Sequence, residues 1–104
     1  MIFIETPVFT RQISVLVDDE DYAEFQRELA DDPEAGDVIP GSGGLRKIRM
    51  AAKGHGKRGG ARVIYYYFTG ASQIALLLAY AKNEAEDLTA AQKKALKQVI
   101  ELWR

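Results

Sequence analysis

The sequence predicts an α+β fold in the order β-α-α-β-β-β-α, with a mainly antiparallel sheet packed on helices. Three observations lead there. Two helical segments with N-terminal capping signals occupy the first third of the chain. Three β-rich segments separated by glycine-containing turns follow between residues 45 and 80, and an amphipathic helix closes the sequence. With 104 residues a single domain spanning 1–104 is expected, and 47% hydrophobic residues suffice for its core.

Ile2 to Glu5 is a short strand, rich in β-branched and aromatic residues. Thr6-Pro7 then reads as an N-cap followed by proline at the first helical position, opening a helix over 8–17. The run Ile13, Val15, Val17 within it has the period of a strand, a competing signal. Asp18 to Asp21 restart a helix with carboxylates at its positive end. Tyr22, Phe25 and Leu29 form its apolar stripe, and Asp32-Pro33 ends it. Residues 38–44 (Val-Ile-Pro-Gly-Ser-Gly-Gly) predict a loop, 45–51 a strand, and 53–60 a basic, glycine-rich connector. Arg62 to Phe68 is the clearest strand; Thr69 to Ser72 turns the chain, and Ile74 to Tyr80 is the next strand. Thr89 caps the last helix, which runs through Trp103 with Ala95, Leu96, Val99, Ile100 and Trp103 along one side.

Charge is sharply segregated. Residues 1–37 hold eleven acids against Arg11 and Arg27, whereas 38–83 hold no acid and eight basic residues: Arg46, Lys47, Arg49, Lys53, Lys57, Arg58, Arg62 and Lys82. The last 21 residues carry four of each, so −9, +8 and 0 sum to the net charge of −1. A middle segment that repels itself implies an anionic partner, with nucleic acid first among polyanions. The absence of cysteine excludes disulfides and thiolate metal sites and fits a reducing cytoplasm. Met1 to Ile4 lacks the basic flank and long apolar run of a signal peptide, and the apolar stretch 74–81 falls far short of the roughly 20 residues needed to span a bilayer. No membrane association is expected.

Side chains alternate along a strand, so Lys47 and Arg49 share one face while Ile48 and Met50 take the other. Arg62, Ile64 and Tyr66 likewise share a face, opposite Val63, Tyr65 and Tyr67. If helices cover one side of the sheet, the other is free for Lys47, Arg49 and Arg62, with Tyr80 and Lys82 at its rim. Simple alternation aligns Tyr80 with Ile74, Leu76 and Leu78, which leaves its side open. Such a surface binds phosphates through its cations and can stack bases on tyrosine rings.

Gly54 to Gly59 spells G-x-G-x-x-G, but a strand follows it, where dinucleotide binding needs a helix N-terminus facing the pyrophosphate. The glycines are better suited to keeping a basic loop close to a phosphate backbone. His55 is the only histidine, and a lone histidine among glycines is ordinarily solvated. The basic segment has no His, Cys and carboxylate cluster, so no metal site and no cofactor is expected. A ribonuclease can dispense with metal, because its substrate supplies the 2′-hydroxyl nucleophile and the protein needs only cations, an acid and a base.

Residues 36–49 (Gly-Asp-Val-Ile-Pro-Gly-Ser-Gly-Gly-Leu-Arg-Lys-Ile-Arg), 53–60, 61–66 (Ala-Arg-Val-Ile-Tyr-Tyr) and 80–84 (Tyr-Ala-Lys-Asn-Glu) together resemble the HigB branch of the RelE-like toxins. The similarity extends from Phe3-Ile4-Glu5-Thr6 to the closing Leu102-Trp103-Arg104. It implies a RelE-like, microbial-ribonuclease-like fold and a type II toxin–antitoxin module. Its implied activity is metal-independent endoribonuclease cleavage of mRNA on the ribosome, which inhibits translation. It also implies a HigA-like antitoxin with a helix-turn-helix domain, and contact with operator DNA only through that antitoxin.

By the same resemblance Lys47 and Arg49 correspond to a basic pair on the family's second strand. Arg62 corresponds to the arginine opening its third, where it contacts the phosphate. RelE-type members read G-K-R-E where this chain has Ala81-Lys82-Asn83-Glu84, so Asn83 replaces a catalytic arginine and Lys82 is the nearest cation. Leu88 lies in the region where RelE has a tyrosine, and Tyr80, His55, Lys53 or Lys57 is left as the base. Arg46, Lys57, Arg58, Asn83 and His55 join Lys47 and Arg49 as expected RNA contacts, and Arg62, Lys82, Tyr80 and Lys53 are the expected catalytic set. The alternatives are a non-catalytic ribosome- or RNA-binding module and a protein-interaction domain using the same basic face.

Overall fold

A computed structural model describes residues 1–50, 61–81 and 88–103. Strand β1 (Ile2–Glu5) leads into helix α1 (Pro7–Leu16), which Thr6 caps by accepting the Phe9 N–H at 3.0 Å. Helix α2 (Asp19–Asp31) starts at Asp18, whose carboxylate accepts the Asp21 N–H at 2.9 Å, and Asp19, Glu20 and Asp21 line its positive first turn. A two-residue strand β2 (Asp37–Val38) precedes β3 (Arg46–Met50), β4 (Ala61–Phe68) and β5 (Gln73–Tyr80), the last two joined by a single 3-10 turn, Thr69–Ala71. Helix α3 (Ala90–Trp103) begins with a reciprocal cap: Thr89 Oγ1 accepts from Gln92 N, and Gln92 Oε1 accepts from Thr89 N.

The strands form one sheet in the order β1-β5-β4-β3-β2. β1 runs parallel to β5 and every other pairing is antiparallel. Strand β2 falls at the start of the segment expected to be loop. Only backbone pairing of Asp37 with Lys47 and Val38 with Arg46 makes it a strand, and two residues carry no periodicity to announce it. The loop that follows is braced internally. Ile39 N donates to Leu45 O at 2.8 Å, and the buried Ser42 hydroxyl accepts from Leu45 N and donates to Ile39 O. Between β4 and β5 the register slips: Ile64 faces Leu78 and Tyr65 faces Leu76, leaving Leu77 as an extra residue, a β-bulge.

Each side of the sheet carries its own apolar cluster. Phe9, Ile13, Val17, Phe25 and Leu29 of the α1–α2 layer meet Met50, Ala61, Val63, Tyr65, Ile74, Leu76 and Ala79. The strand-like run in α1 resolves as a helix because Ile13 and Val17 are buried while Val15 is 73% exposed. On the opposite side Ile100, with Leu96 beside it, covers Leu45, Ile64, Ala75, Leu77 and Tyr80. A free second face was the expectation; instead α3 lies over part of it, because Ile64, Leu77 and Leu45 must be kept from water. Each fully buried Phe or Leu of these clusters contributes on the order of 1.5–3 kcal/mol.

Candidate functional site

Strand register lines up three polar side chains on the α3 side of the sheet. Arg49 on β3 stands directly opposite Arg62 on β4, which stands directly opposite Tyr80 on β5. One step along, Lys47 faces Ile64, which faces Leu78. Opposed residues on neighbouring strands project to the same side with Cα atoms about 4.5–5.5 Å apart, so the row is continuous. The bulge at Leu77 completes it. Regular alternation from Ile74 and Leu76 would turn Tyr80 into the α1–α2 core; one extra residue returns it to the side of Arg62.

Two arginines in direct cross-strand register repel one another, a destabilising arrangement of roughly 0.2–1 kcal/mol. Among the described residues neither has a carboxylate within 4 Å; the ion pair there is Arg46 with Glu34 at 3.2 Å. Arg49 is exposed and Arg62 is partly buried. The Nη1 atom of Arg62 is buried and lacks a hydrogen-bond acceptor among the described residues, and the hydroxyl of Tyr80, the residue opposite Arg62 on the next strand, is buried too. A desolvated guanidinium N–H without an acceptor is unfavourable, and a phosphate oxygen at this place would relieve it. The row is therefore suited to gripping one phosphodiester from two sides.

The remaining expected residues separate into three groups. Lys47 lies on the same side as the row and is paired across β2 with Asp37. Arg46 is on the other side: its guanidinium donates to Gly36 O at 2.7 Å and Glu34 O at 3.1 Å besides its ion pair, so it clamps the segment leading into β2. It is spent on the fold, away from the row. Lys53, His55, Lys57, Arg58, Lys82 and Asn83 lie outside the described residues. Among the described residues no group of three or more His, Cys, Asp or Glu is arranged to hold a metal ion.

Two tyrosines near the row's strands serve the core. The Tyr65 hydroxyl donates to Pro33 O at 2.8 Å and accepts from Gly36 N at 2.9 Å, and burial raises its pKa against the opposing influence of the Gly36 N–H and the Arg46 charge. Tyr66 packs its ring edge-on to Phe68 at 4.8 Å on the α3 side. Arg62, Arg49 and Lys47 could be found by alternation alone. The place of Tyr80 could not, because no residue type in Leu76-Leu77-Leu78-Ala79 marks which one bulges.

With this geometry in place, comparison with known proteins gives a consistent answer. Residues 11–103 match the RelE toxin of the RelE/RelB toxin–antitoxin system, and the chain belongs to that toxin family. A mutant of the E. coli toxin RelE, solved in the free state, is similar in structure: the TM-score is 0.58 over 97% of this chain and 96% of that one. At 12% identity the likeness is one of fold. The protein is thus a small α+β toxin of the toxin–antitoxin kind, and no helix among the described residues is long and apolar enough to cross a membrane.

Proposed function

We propose that the protein is an endoribonuclease that cuts mRNA on the ribosome without metal. The reading rests on one observation above all, the opposed Arg49 and Arg62 with no acidic partner among the described residues and Tyr80 completing their row. In the reaction the substrate's 2′-hydroxyl attacks its own 3′-phosphate, so RNA is cut and DNA is not. A base takes the 2′ proton, the phosphorus becomes pentacovalent with an additional negative charge, and the 5′-oxygen leaves with a proton from an acid. The products are a 2′,3′-cyclic phosphate and a 5′-hydroxyl. Arg62 takes the non-bridging oxygens in two hydrogen bonds, and Arg49 neutralises the charge that develops. Tyr80 is placed to exchange a proton, with Lys53, Lys57 and His55 as the other candidates for the base and Lys82 as a further cation.

As a HigB-type member of its family, the toxin pairs with a HigA-like antitoxin bearing a helix-turn-helix domain, and meets operator DNA only through it. Lys47, with Lys57, Arg58, His55 and Asn83, holds flanking phosphates of mRNA or ribosomal RNA. The cytoplasm, where ribosomes are, is its site of action.

The test is expression of wild type and Arg62→Ala in a bacterium, with mapping of mRNA ends and of cuts in a reconstituted translation reaction. Wild type arrests growth and produces ribosome-dependent cuts, and Arg62→Ala does neither. Equal toxicity of the two overturns the assignment of Arg62. Tight ribosome binding by wild type with intact mRNA overturns the nuclease and leaves a binding module.

A further inference from the structure

β1 accompanies β5 only as far as Leu76, so the last four residues of β5, from Leu77 to Tyr80, have β4 on one side and, among the described residues, no strand on the other. That open edge holds the bulge and carries Tyr80. Backbone groups on such an edge require partners, and an unsupported bulge can slip. Helix α1 and its capping residue supply partners with side chains. Thr6 Oγ1 donates to the carbonyl of Leu77, the extra residue, at 2.8 Å. Gln12 Oε1 accepts from the N–H of Ala79, the residue before Tyr80, at 2.8 Å.

Thr6 is already needed as the cap of α1. Gln12 has no such duty. Phe9, Ile13 and Leu16 form the helix's apolar stripe, and Gln12 stands beside it, partly buried, at the border of a groove of about 420 Å³ lined also by Val8, Arg11, Val15, Leu16 and Ala79. An apolar side chain would serve packing there; an amide serves the Ala79 N–H.

We propose that Gln12 is a positioning residue that, by holding the Ala79 N–H, fixes the bulged end of β5 so that Tyr80 meets Arg62. For its activity readout the inference rests on the ribonuclease reading above, but the hydrogen bond itself can be followed without any substrate. A displacement of about 1 Å at a reacting group can lower a rate by about 100-fold, so the expected effect is on turnover more than on binding.

The experiment compares Gln12→Leu, which removes the acceptor at similar volume, and Gln12→Asn, whose amide is one methylene too short, with Gln12→Glu, which keeps an acceptor at the same reach. Amide hydrogen exchange at Ala79, the NMR shifts of the Tyr80 ring, and kcat and KM for cleavage of ribosome-bound mRNA are measured in each. In Gln12→Leu and Gln12→Asn, Ala79 exchanges about tenfold faster or more, the Tyr80 ring resonances move, and kcat falls about 10- to 100-fold with KM within about twofold. Gln12→Glu retains the wild-type values. Unchanged exchange and ring shifts in the folded acceptor-less variants overturn the proposal, as does faster exchange with unaltered kcat. A wild-type protein that cuts no RNA refutes the ribonuclease reading alone, and exchange at Ala79 with the Tyr80 shifts then decides the role of Gln12.

Discussion

Arg62 is held where its charge is least welcome: opposite another arginine, with one nitrogen buried and no acceptor for it among the described residues. A flexible ammonium could retreat from that position more easily, but it would offer a point charge where the planar guanidinium offers two parallel N–H bonds to a phosphate. Arg62→Lys is accordingly expected to retain RNA binding and to lose most cleavage. Tyr80 makes a sharper case, because it belongs to the apolar cluster of Leu77, Leu88 and Ile100 and stands opposite Arg62 in the strand register. Tyr80→Phe keeps the packing and removes only the proton. Single-turnover cleavage by Tyr80→Phe is expected to fall about 100-fold, in the range of general acid–base contributions, with melting temperature and ribosome affinity unchanged. A rate equal to wild type would transfer the proton role to Lys53, Lys57 or His55.

The helices and the three long strands follow from local chemistry that a reader of the sequence can see. Thr6-Pro7 opens α1, Asp18 with three following acids opens α2, the Thr89–Gln92 pair opens α3, a β-branched and aromatic run makes β4, and a short apolar run after the Thr69–Ser72 turn makes β5. The side of the sheet taken by Lys47, Arg49 and Arg62 follows from alternation in the same way. What stayed hidden depends on long-range partners. β2 exists only because β3 pairs with it, the bulge only because β4 fixes its neighbours, and the covering of the second face only because α3 folds back onto Ile64 and Leu77.

The element junctions also make stability predictions. A methyl group on Gly36 would come within 2.8 Å of the Tyr65 hydroxyl and 3.0 Å of the Lys47 carbonyl, one of them rigid backbone. Gly36→Ala should therefore destabilise the protein by about 1–3 kcal/mol, read as a lowered urea midpoint at constant slope. Between β1 and α2, Tyr22 donates to Glu5 Oε2 at 2.6 Å, and burial first, then that hydrogen bond and the Glu5 charge, raise its pKa above the ordinary tyrosine value. The folded state thus holds the tyrosine proton more tightly than the unfolded chain does. This contribution is complete below about pH 10 and is lost as pH rises above it, where the unfolded form ionises first. Urea midpoints measured between pH 8 and 11 should fall less steeply for Tyr22→Phe than for wild type.

Folding converts the chain's charge segregation into a dipole across the sheet. The α1–α2 layer, with the acids of α2, packs on one side, and Lys47, Arg49 and Arg62 project from the other, where α3 adds Lys93, Lys94 and Lys97. The net charge is only −1, so attraction to a polyanion depends on orientation, with one face drawn in and the other repelled. On the ribonuclease reading, that arrangement steers the basic face toward RNA while keeping the free protein close to neutral. Affinity for ribosomes should then fall with salt as counterions are released from the phosphates engaged. Two phosphates, the scissile one shared by Arg49 and Arg62 and a flanking one held by Lys47, set a slope of log affinity against log salt of about −1.4 at roughly −0.7 per single-stranded phosphate, and contacts from other cations steepen it. Arg49→Ala, at an exposed position outside either apolar cluster, should make the slope shallower, by up to about 0.7, without altering the fold. Titrations of labelled protein with ribosomes between 50 and 300 mM salt, on the order of the range where such slopes are linear, decide the matter. A slope near zero, or one that Arg49→Ala leaves unchanged, would mean that the face of the sheet carrying the arginine pair is not the one that meets RNA.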